Sequence, residues 1–143
     1  MATDEKNKKQ NTSEKNSCNE ENKYKKTLRS EQYKVLREKG TEPPFSGKYY
    51  KHNKKGIYKC AACKNELFSS NEKFDSHCGW PSFKQAIECN KVILQEDNSL
   101  GMQRTEVLCA RCKSHLGHVF NDGPLPQGTR YCINSLALEF EEE

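Results

Sequence analysis

Short apolar stretches separated by turn residues run along the chain from residue 48 onward. They are GIYKC, ELFSS, KVILQ, TEVLC and the closing RYCINSLALEF. Most have the length of a strand, and they are rich in the β-branched and aromatic residues that fit a pleated, half-buried surface. Several short strands with few helices predict a mainly β, antiparallel, barrel-like domain.

Helical patterns are confined to short segments. EQYKVLREK follows Ser30 and ends just before Gly40, so the serine is predicted to cap this helix and the glycine to end it. The segment is too short to be stable alone, so Tyr33 and Leu36 are expected to dock it onto the domain. One more helical turn is predicted over SFKQAIE, directly after Pro81.

The N-terminal segment is almost entirely polar. Apolar residues before position 28 are only Met1, Ala2, Cys18 and Tyr24, and the first 29 residues carry eight Lys or Arg against five Asp or Glu. This composition cannot offset the entropy of ordering, so residues 1–27 are predicted to be a disordered polar tail before one domain, 28–143. A nucleic-acid arm is the alternative, but interspersed acids and the lack of an aromatic series favour a solvating tail without a nucleic-acid partner.

The sequence has neither an apolar leader-like segment at its start nor a stretch of the roughly 20 apolar residues that span a bilayer. A cytoplasmic, reducing setting without membrane association is therefore expected. In that setting the eight cysteines are expected to serve as metal ligands or catalysts rather than as a disulfide framework.

Two CxxC pairs have the spacing of metal-binding knuckles. CAAC contains Cys60 and Cys63, and CARC contains Cys109 and Cys112. Two such pairs usually combine into one tetrahedral site of four thiolates, which predicts a structural zinc ion. Because 45 residues separate the pairs, a large part of the domain must lie between them.

Two other interpretations of these pairs are weaker. The spacing CARCKSHLGH also permits a local site of Cys109, Cys112, His115 and His118, but that site leaves CAAC without a partner. A redox CxxC would require an exposed helix N-terminus at each pair. The four-cysteine site is therefore preferred.

The closing stretch carries a row of polar residues. On an uninterrupted strand, Arg130, Cys132 and Asn134 share one face with the apolar residues Leu136, Leu138 and Phe140. The apolar half of this face is typical of a core. A guanidinium, a thiol and an amide in succession at its edge indicate a chemical site.

Several motifs together resemble the B-type methionine sulfoxide reductases, which reduce the R epimer of methionine sulfoxide. The matching segments, in order, are EQYKVLREKGTEPPFSG, CGWPSF, GMQRTEV, HLGHVFNDGP and RYCINSLAL, and they span roughly residues 28–138. The resemblance implies a largely antiparallel β fold with short N-terminal helices and one zinc ion on the CxxC cysteines. It also implies thioredoxin as reductant and a role in protein repair under oxidative stress.

By the same resemblance Cys132 is the nucleophile, Cys78 the resolving thiol and Trp80 the apolar wall for the substrate methyl group. Attack on methionine sulfoxide leaves a sulfenic acid on Cys132, and a nearby thiol can condense with it to a disulfide. Cys89 is expected to point into the domain and Cys18 to lie on the tail, so Cys78 is the preferred partner.

The chemistry also assigns roles to the residues beside the nucleophile. A free thiol has a pKa of about 8.5, so little of it is thiolate near neutral pH. Arg130 lies two positions from Cys132 and is expected to favour the thiolate, because an opposite charge stabilises it. Asn134 is expected to position substrate or water by hydrogen bonding.

The motif HLGHVF supplies candidate proton donors for the departing oxygen. His115 and His118 would face opposite sides of an ideal strand, so Gly117 is expected to allow a bulge or turn that brings them together. Asp122 is a candidate to hold one imidazole in a single tautomer. Phe120 is a candidate for the apolar wall.

A competing function is a non-catalytic zinc-ribbon module that binds RNA or another protein. It would account for the four cysteines and the basic tail, but it leaves Arg130, Cys132, Asn134 and the CGWPSF segment without a role. A methionine-R-sulfoxide reductase acting on peptides and proteins, expected to be monomeric, is the preferred interpretation.

Overall fold

The computed structural model describes residues 23–143, and their regular structure is mainly β. Helix α1 spans Ser30–Glu38, and residues 23–27 are also helical. The nine strands are β1 (Gly56–Cys60), β2 (Glu66–Ser69), β3 (Lys73–Phe74), β4 (Ser82–Phe83), β5 (Val92–Asp97), β6 (Arg104–Cys109), β7 (His115–Phe120), β8 (Arg130–Ile133) and β9 (Leu138–Glu142). Short 3₁₀ turns connect several of them, at Ser70–Glu72, Cys89–Lys91, Ser99–Gly101 and Ser135–Ala137.

The strands form two open antiparallel sheets. β1 is the central strand of a three-stranded sheet with the order β2-β1-β9. The other sheet has six strands in the order β3-β4-β8-β7-β6-β5. The predicted mainly β, antiparallel class with few helices is therefore confirmed, with the β structure divided between two sheets.

An aromatic core lies where the two sheets pack together. Tyr58 of β1, Phe68 of β2 and Phe83 of β4 are fully buried. The ring centroids of Phe68 and Phe83 are 4.4 Å apart and stacked, and those of Tyr58 and Phe83 are 5.2 Å apart. Full burial of each such ring contributes about 1.5–3 kcal/mol, so this contact is a main link between the sheets.

The closing stretch is not the single strand that its alternation predicts. β8 pairs with β4 and β7, the chain then makes a 3₁₀ turn over Ser135–Ala137, and β9 pairs with β1 in the other sheet. Burial does not alternate across this change, because Ile133, Asn134, Ser135, Ala137 and Leu138 are all buried. Asn134, where the chain leaves the first sheet, is the N-cap of the turn.

Helix α1 forms as expected, but its ends differ from the prediction. Its N-cap is Arg29, whose backbone N–H donates to Oε1 of Gln32 at 3.2 Å, so Ser30 lies inside the helix. Its C-cap is Lys39, in the left-handed conformation with φ 58°. Leu36 is buried against the domain, as predicted, because a helix of this length needs tertiary contacts.

Two other local predictions were wrong. Residues 82–88 do not form a helical turn, because Ser82 and Phe83 pair with β8 as strand β4. Residues 23–27 are helical, and Tyr24 is buried beneath the Arg37 guanidinium, so ordered structure begins inside the predicted tail. Cys18 and the rest of the predicted tail lie outside the described residues.

Within residues 23–143, no helix is long and apolar enough to cross a membrane.

Candidate active site and metal site

The two CxxC pairs lie in matching turns at the ends of β1 and β6. The backbone N–H of Lys64 donates to the Cys60 carbonyl at 2.8 Å, and that of Lys113 donates to the Cys109 carbonyl at 2.8 Å. Both lysines adopt positive φ, 67° and 64° respectively. Each pair is therefore held by the same tight turn, which directs its two sulfurs to one point.

The four sulfurs meet at that point. Their atoms all lie within 4.8 Å of one another, with 3.7 Å from Cys60 to Cys112 and 3.5 Å from Cys63 to Cys109. A tetrahedral ion with metal–sulfur bonds of about 2.3 Å requires sulfur–sulfur distances of about 3.8 Å. The donor set therefore fits one tetrahedral, thiolate-bound metal ion.

The alternative local site of Cys109, Cys112, His115 and His118 is wrong. The two histidines are bonded to carboxylates, and among residues 23–143 the only donor atoms that converge as a metal site are those of the four cysteines. A local site cannot form because β7 carries both histidines away from the CARC turn.

A second pair of thiols lies on and beside β8 of the six-stranded sheet. Cys132 is on β8, directly opposite Ser82 of β4, and Cys78 is in the loop that leads into β4. Their sulfurs are 3.4 Å apart, and both are free thiols. Cys89 is exposed in a 3₁₀ turn, so the expectation that it points into the domain was wrong.

Hydroxyl groups surround Cys78. The Ser76 hydroxyl donates to its sulfur at 3.0 Å, and the Ser82 hydroxyl lies 3.4 Å from it. The hydrogen bond from Cys132, aided by these hydroxyls, lowers the pKa of Cys78 to about 4. The same contact with Cys78, together with burial, raises the pKa of Cys132, so the pair carries one negative charge and shares the remaining proton.

Arg130 is held beside the pair by an acid and an aromatic ring. Its Nε and an Nη donate to the Asp122 carboxylate at 2.9 and 3.2 Å, and its guanidinium lies 4.4 Å from the centre of the Phe120 ring. The positive charge lowers the pKa of Cys132, against the effect of Cys78. Asp122 thus fixes Arg130, and the expectation that it holds an imidazole was wrong.

A bulge brings the two histidines to the same side of β7. The pairing with β6 shifts between His115 opposite Leu108 and Gly117 opposite Val107, which leaves Leu116 as the extra residue. The imidazole centroids are 5.4 Å apart. Gly117 also lies so close to β8 that a Cβ there would be 2.0 Å from the Cys132 carbonyl oxygen. The bulge predicted at this glycine is present.

Each imidazole is bonded to a buried acid. Nδ1 of His115 lies 2.6 Å from Oε2 of Glu106, and Nε2 of His118 lies 2.8 Å from Oδ2 of Asp97. These two acids were missed from sequence, because strand alternation gives no sign that an acid is bonded inside the fold. Only the sheet register places them beside the histidines.

The thiol pair opens onto a cavity of about 210 Å³, called the thiol pocket below. The residues that line it are mostly aromatic, basic or polar. They are Thr41, Cys78, Trp80, Arg104, Gly117, His118, Phe120, Arg130, Cys132 and Asn134. His115 is not part of the wall. A larger cavity of about 680 Å³ lies between α1 and residues 40–48, and it contains neither thiol.

Trp80 is fixed from the loop after α1. Its Nε1–H donates to the Glu42 carbonyl at 3.0 Å. The neighbouring Gly79 has φ 101°, and its carbonyl accepts the N–H of Phe45 at 2.7 Å. The indole N–H is therefore satisfied within the protein, and the ring serves the pocket as an apolar wall.

Asn134 lies at the base of the pocket and is 4% exposed. Its Oδ1 accepts the N–H of Glu42 at 3.0 Å, and its Nδ2 donates to the Leu116 carbonyl at 3.0 Å. The amide thus links the loop after α1 to β7, instead of being free for a ligand as expected from the sequence.

Comparisons with known proteins identify the family. The SelR domain family matches residues 28–142. Proteins called peptide methionine sulfoxide reductase MsrB are similar: one from Methanosarcina mazei is 61% identical over 84% of this chain and 86% of its own length, and one from Leptospira interrogans is 57% identical over 84% and 92%.

A solved structure, the Mis18 'Yippee-like' domain, has a TM-score of 0.51 at 22% identity, covering 62% of this chain and 97% of its own, which is a likeness of fold alone. The match to the SelR domain and the identity to the MsrB relatives cover most of the chain. The chain therefore belongs to the MsrB family of peptide methionine sulfoxide reductases.

Proposed function

We propose that this protein reduces the R epimer of methionine sulfoxide in peptides and proteins, with Cys132 as nucleophile and Cys78 as resolving thiol. The observation that carries the proposal is the contact of these two sulfurs, 3.4 Å apart, at the floor of a pocket with an aromatic wall. The pocket volume of about 210 Å³ suits one side chain rather than a large ligand. Trp80 and Phe120 face the methyl group, and the basic and imidazole side chains face the oxygen.

In the first step the proton shared by the thiols moves onto Cys78, and the Cys132 thiolate attacks the sulfoxide group of the substrate. The sulfur–oxygen bond of the substrate breaks and a bond forms between that oxygen and the Cys132 sulfur, while His118 supplies the proton that the oxygen acquires. The substrate sulfur gains two electrons and the Cys132 sulfur loses two. The products are methionine and a Cys132 sulfenic acid.

In the second step the Cys78 sulfur attacks the sulfenic acid. A sulfur–sulfur bond forms, the sulfur–oxygen bond of Cys132 breaks, and the hydroxyl leaves as water after taking a proton. An external dithiol, proposed to be thioredoxin, then reduces the disulfide by exchange. The Ser76 and Ser82 hydroxyls beside Cys78 would stabilise its thiolate as the leaving group in that exchange.

One structural zinc ion is proposed for the four-cysteine site. Bound there, it would supply a cross-link between the ends of β1 and β6, which belong to different sheets. The thiolates of Cys60, Cys63, Cys109 and Cys112 would hold it with no open position. The thiol pocket has its own cysteines, so the metal site serves stability.

A repair role under oxidative stress in the cytoplasm is proposed for the enzyme. The support is chemical: free thiols at both sites require a reducing compartment, and oxidised methionine forms where oxidants reach proteins. We further propose that the reductase domain spans residues 28–143 and acts as a monomer. The non-catalytic zinc-ribbon alternative gives no role to the thiol pair.

The test is turnover of each epimer of a methionine sulfoxide peptide with a dithiol donor. The R epimer alone is expected to be reduced, and Cys132→Ser is expected to abolish turnover, with Cys89→Ser, at an exposed thiol, as the matched control. Treatment with substrate and no reductant should give a Cys78–Cys132 disulfide by peptide mapping. Equal activity on both epimers, or full activity of Cys132→Ser, contradicts the proposal.

A further inference from the structure

Asp97 is a buried acid at the end of β5, and it is 4% exposed. Its Oδ2 lies 2.8 Å from Nε2 of His118, and its Oδ1 accepts the N–H of Ser99 at 3.0 Å. Hydrogen bonding from His118, followed by that from Ser99, holds the pKa of Asp97 far below its usual range, so the carboxylate is ionised at any working pH.

The bond to Asp97 divides the two nitrogens of His118 between two tasks. His118 lines the thiol pocket, and on β7 it lies directly opposite Cys132 of β8. Because Nε2 is bonded to the carboxylate, Nδ1 is the ring nitrogen left for a ligand in the pocket. An ionised carboxylate requires a donor, so the proton of the neutral ring belongs on Nε2.

We propose that Asp97 is a positioning residue for His118: its carboxylate fixes the ring with Nδ1 toward the bound sulfoxide, where that nitrogen gives a proton to the departing oxygen. The inference rests on the proposed function and assigns to Asp97 a role that was predicted for Asp122. That residue cannot perform it, because both of its carboxylate oxygens bond Arg130 at the other side of the pocket.

His118, and not His115, is the histidine that lines the thiol pocket and can give the proton. His115 is 3% exposed, and burial lowers its pKa, which keeps that ring neutral behind the pocket wall. Lys39 lies 3.4 Å from Asp97 and 3.3 Å from Glu106, so it holds both acids in place from the end of α1.

Arg104 of β6 is a second cation beside this carboxylate, because its guanidinium reaches within 3.8 Å of Asp97. It therefore helps Lys39 to hold Asp97 in place. Arg130, Cys132 and Cys78 lie on the pocket wall with His118.

The experiment compares Asp97→Asn with Glu96→Gln, which removes the same charge from the exposed neighbour on the same strand. For Asp97→Asn, kcat is expected to fall roughly 10- to 100-fold with little change in KM. Glu96→Gln should match the wild type in both.

A folded Asp97→Asn with wild-type kcat overturns the inference while leaving the proposed function intact, since the wild type still turns over the R epimer. A second measurement needs no variant. Long-range ¹H–¹⁵N spectra of the wild type at high pH are expected to show neutral His118 protonated on Nε2. The Nδ1-protonated tautomer would overturn the inference even if Asp97→Asn does not fold.

Discussion

Replacing Asn134 by alanine separates a scaffold role from a substrate role. The change removes two buried hydrogen bonds, and the two losses differ in their cost to the free energy of unfolding. The Leu116 carbonyl keeps the backbone N–H of residue 134 as donor at 3.0 Å, so it stays satisfied. The N–H of Glu42 loses its acceptor, which costs about 1–3 kcal/mol, and the lost bond to Leu116 adds about 0.5–1.5 kcal/mol. We expect a total of roughly 2–4 kcal/mol.

The assay is urea unfolding followed by circular dichroism. With a slope of about 2 kcal/mol per M, the midpoint is expected to fall by about 1–2 M at unchanged slope. Asn71→Ala is the matched control, because that side chain is exposed, and it should leave the midpoint unchanged. An unchanged midpoint for Asn134→Ala together with a large loss of kcat/KM would refute the reasoning and assign the amide to the substrate.

Three further predictions concern the two thiol sites. Cys60→Ser should release the metal and lower Tm by roughly 10 °C or more, measured by metal analysis and thermal melting; retained metal would contradict the four-thiolate site. Arg130→Ala should raise the pKa of Cys132 by about one unit, measured as the pH midpoint of alkylation, because the neighbouring positive charge is lost; an unchanged midpoint would exclude Arg130. Cys78→Ser should lower that midpoint, because a neighbouring negative charge is lost, and a midpoint equal to or above the wild-type value would show that the sulfurs do not share a proton.

Local patterns were sufficient to predict several strands and the metal-site cysteines. Strands β1, β5 and β6 lie within two residues of their predicted stretches, because period-2 alternation with β-branched residues is a local property. The four-cysteine cluster follows from two CxxC turns, since each turn fixes its own pair. Only the meeting of the two pairs required tertiary structure.

The change of sheet at Asn134 could not be predicted from the pattern. Ile133 and Leu138 are both buried, although residues five positions apart face opposite sides of a continuous strand, and they pair in different sheets. The turn between them depends on bonds to Glu42, more than 90 residues away along the chain. A local sequence rule cannot predict a hydrogen bond between residues so far apart in the chain. The Asn134 amide was therefore predicted to contact the substrate.

The acids that partner the histidines were missed for a related reason. An acid in a strand is normally exposed, and Glu96 fits that rule while Asp97, its neighbour, does not. The two point to opposite faces, and only the register of β5 on β6 and β7 decides which face is covered. Asp122 was preferred from sequence because it is close in the chain to His118, but three antiparallel strands bring Asp97 closer in space. In a sheet, the partner of a catalytic side chain is therefore to be sought across the strands before it is sought along the chain.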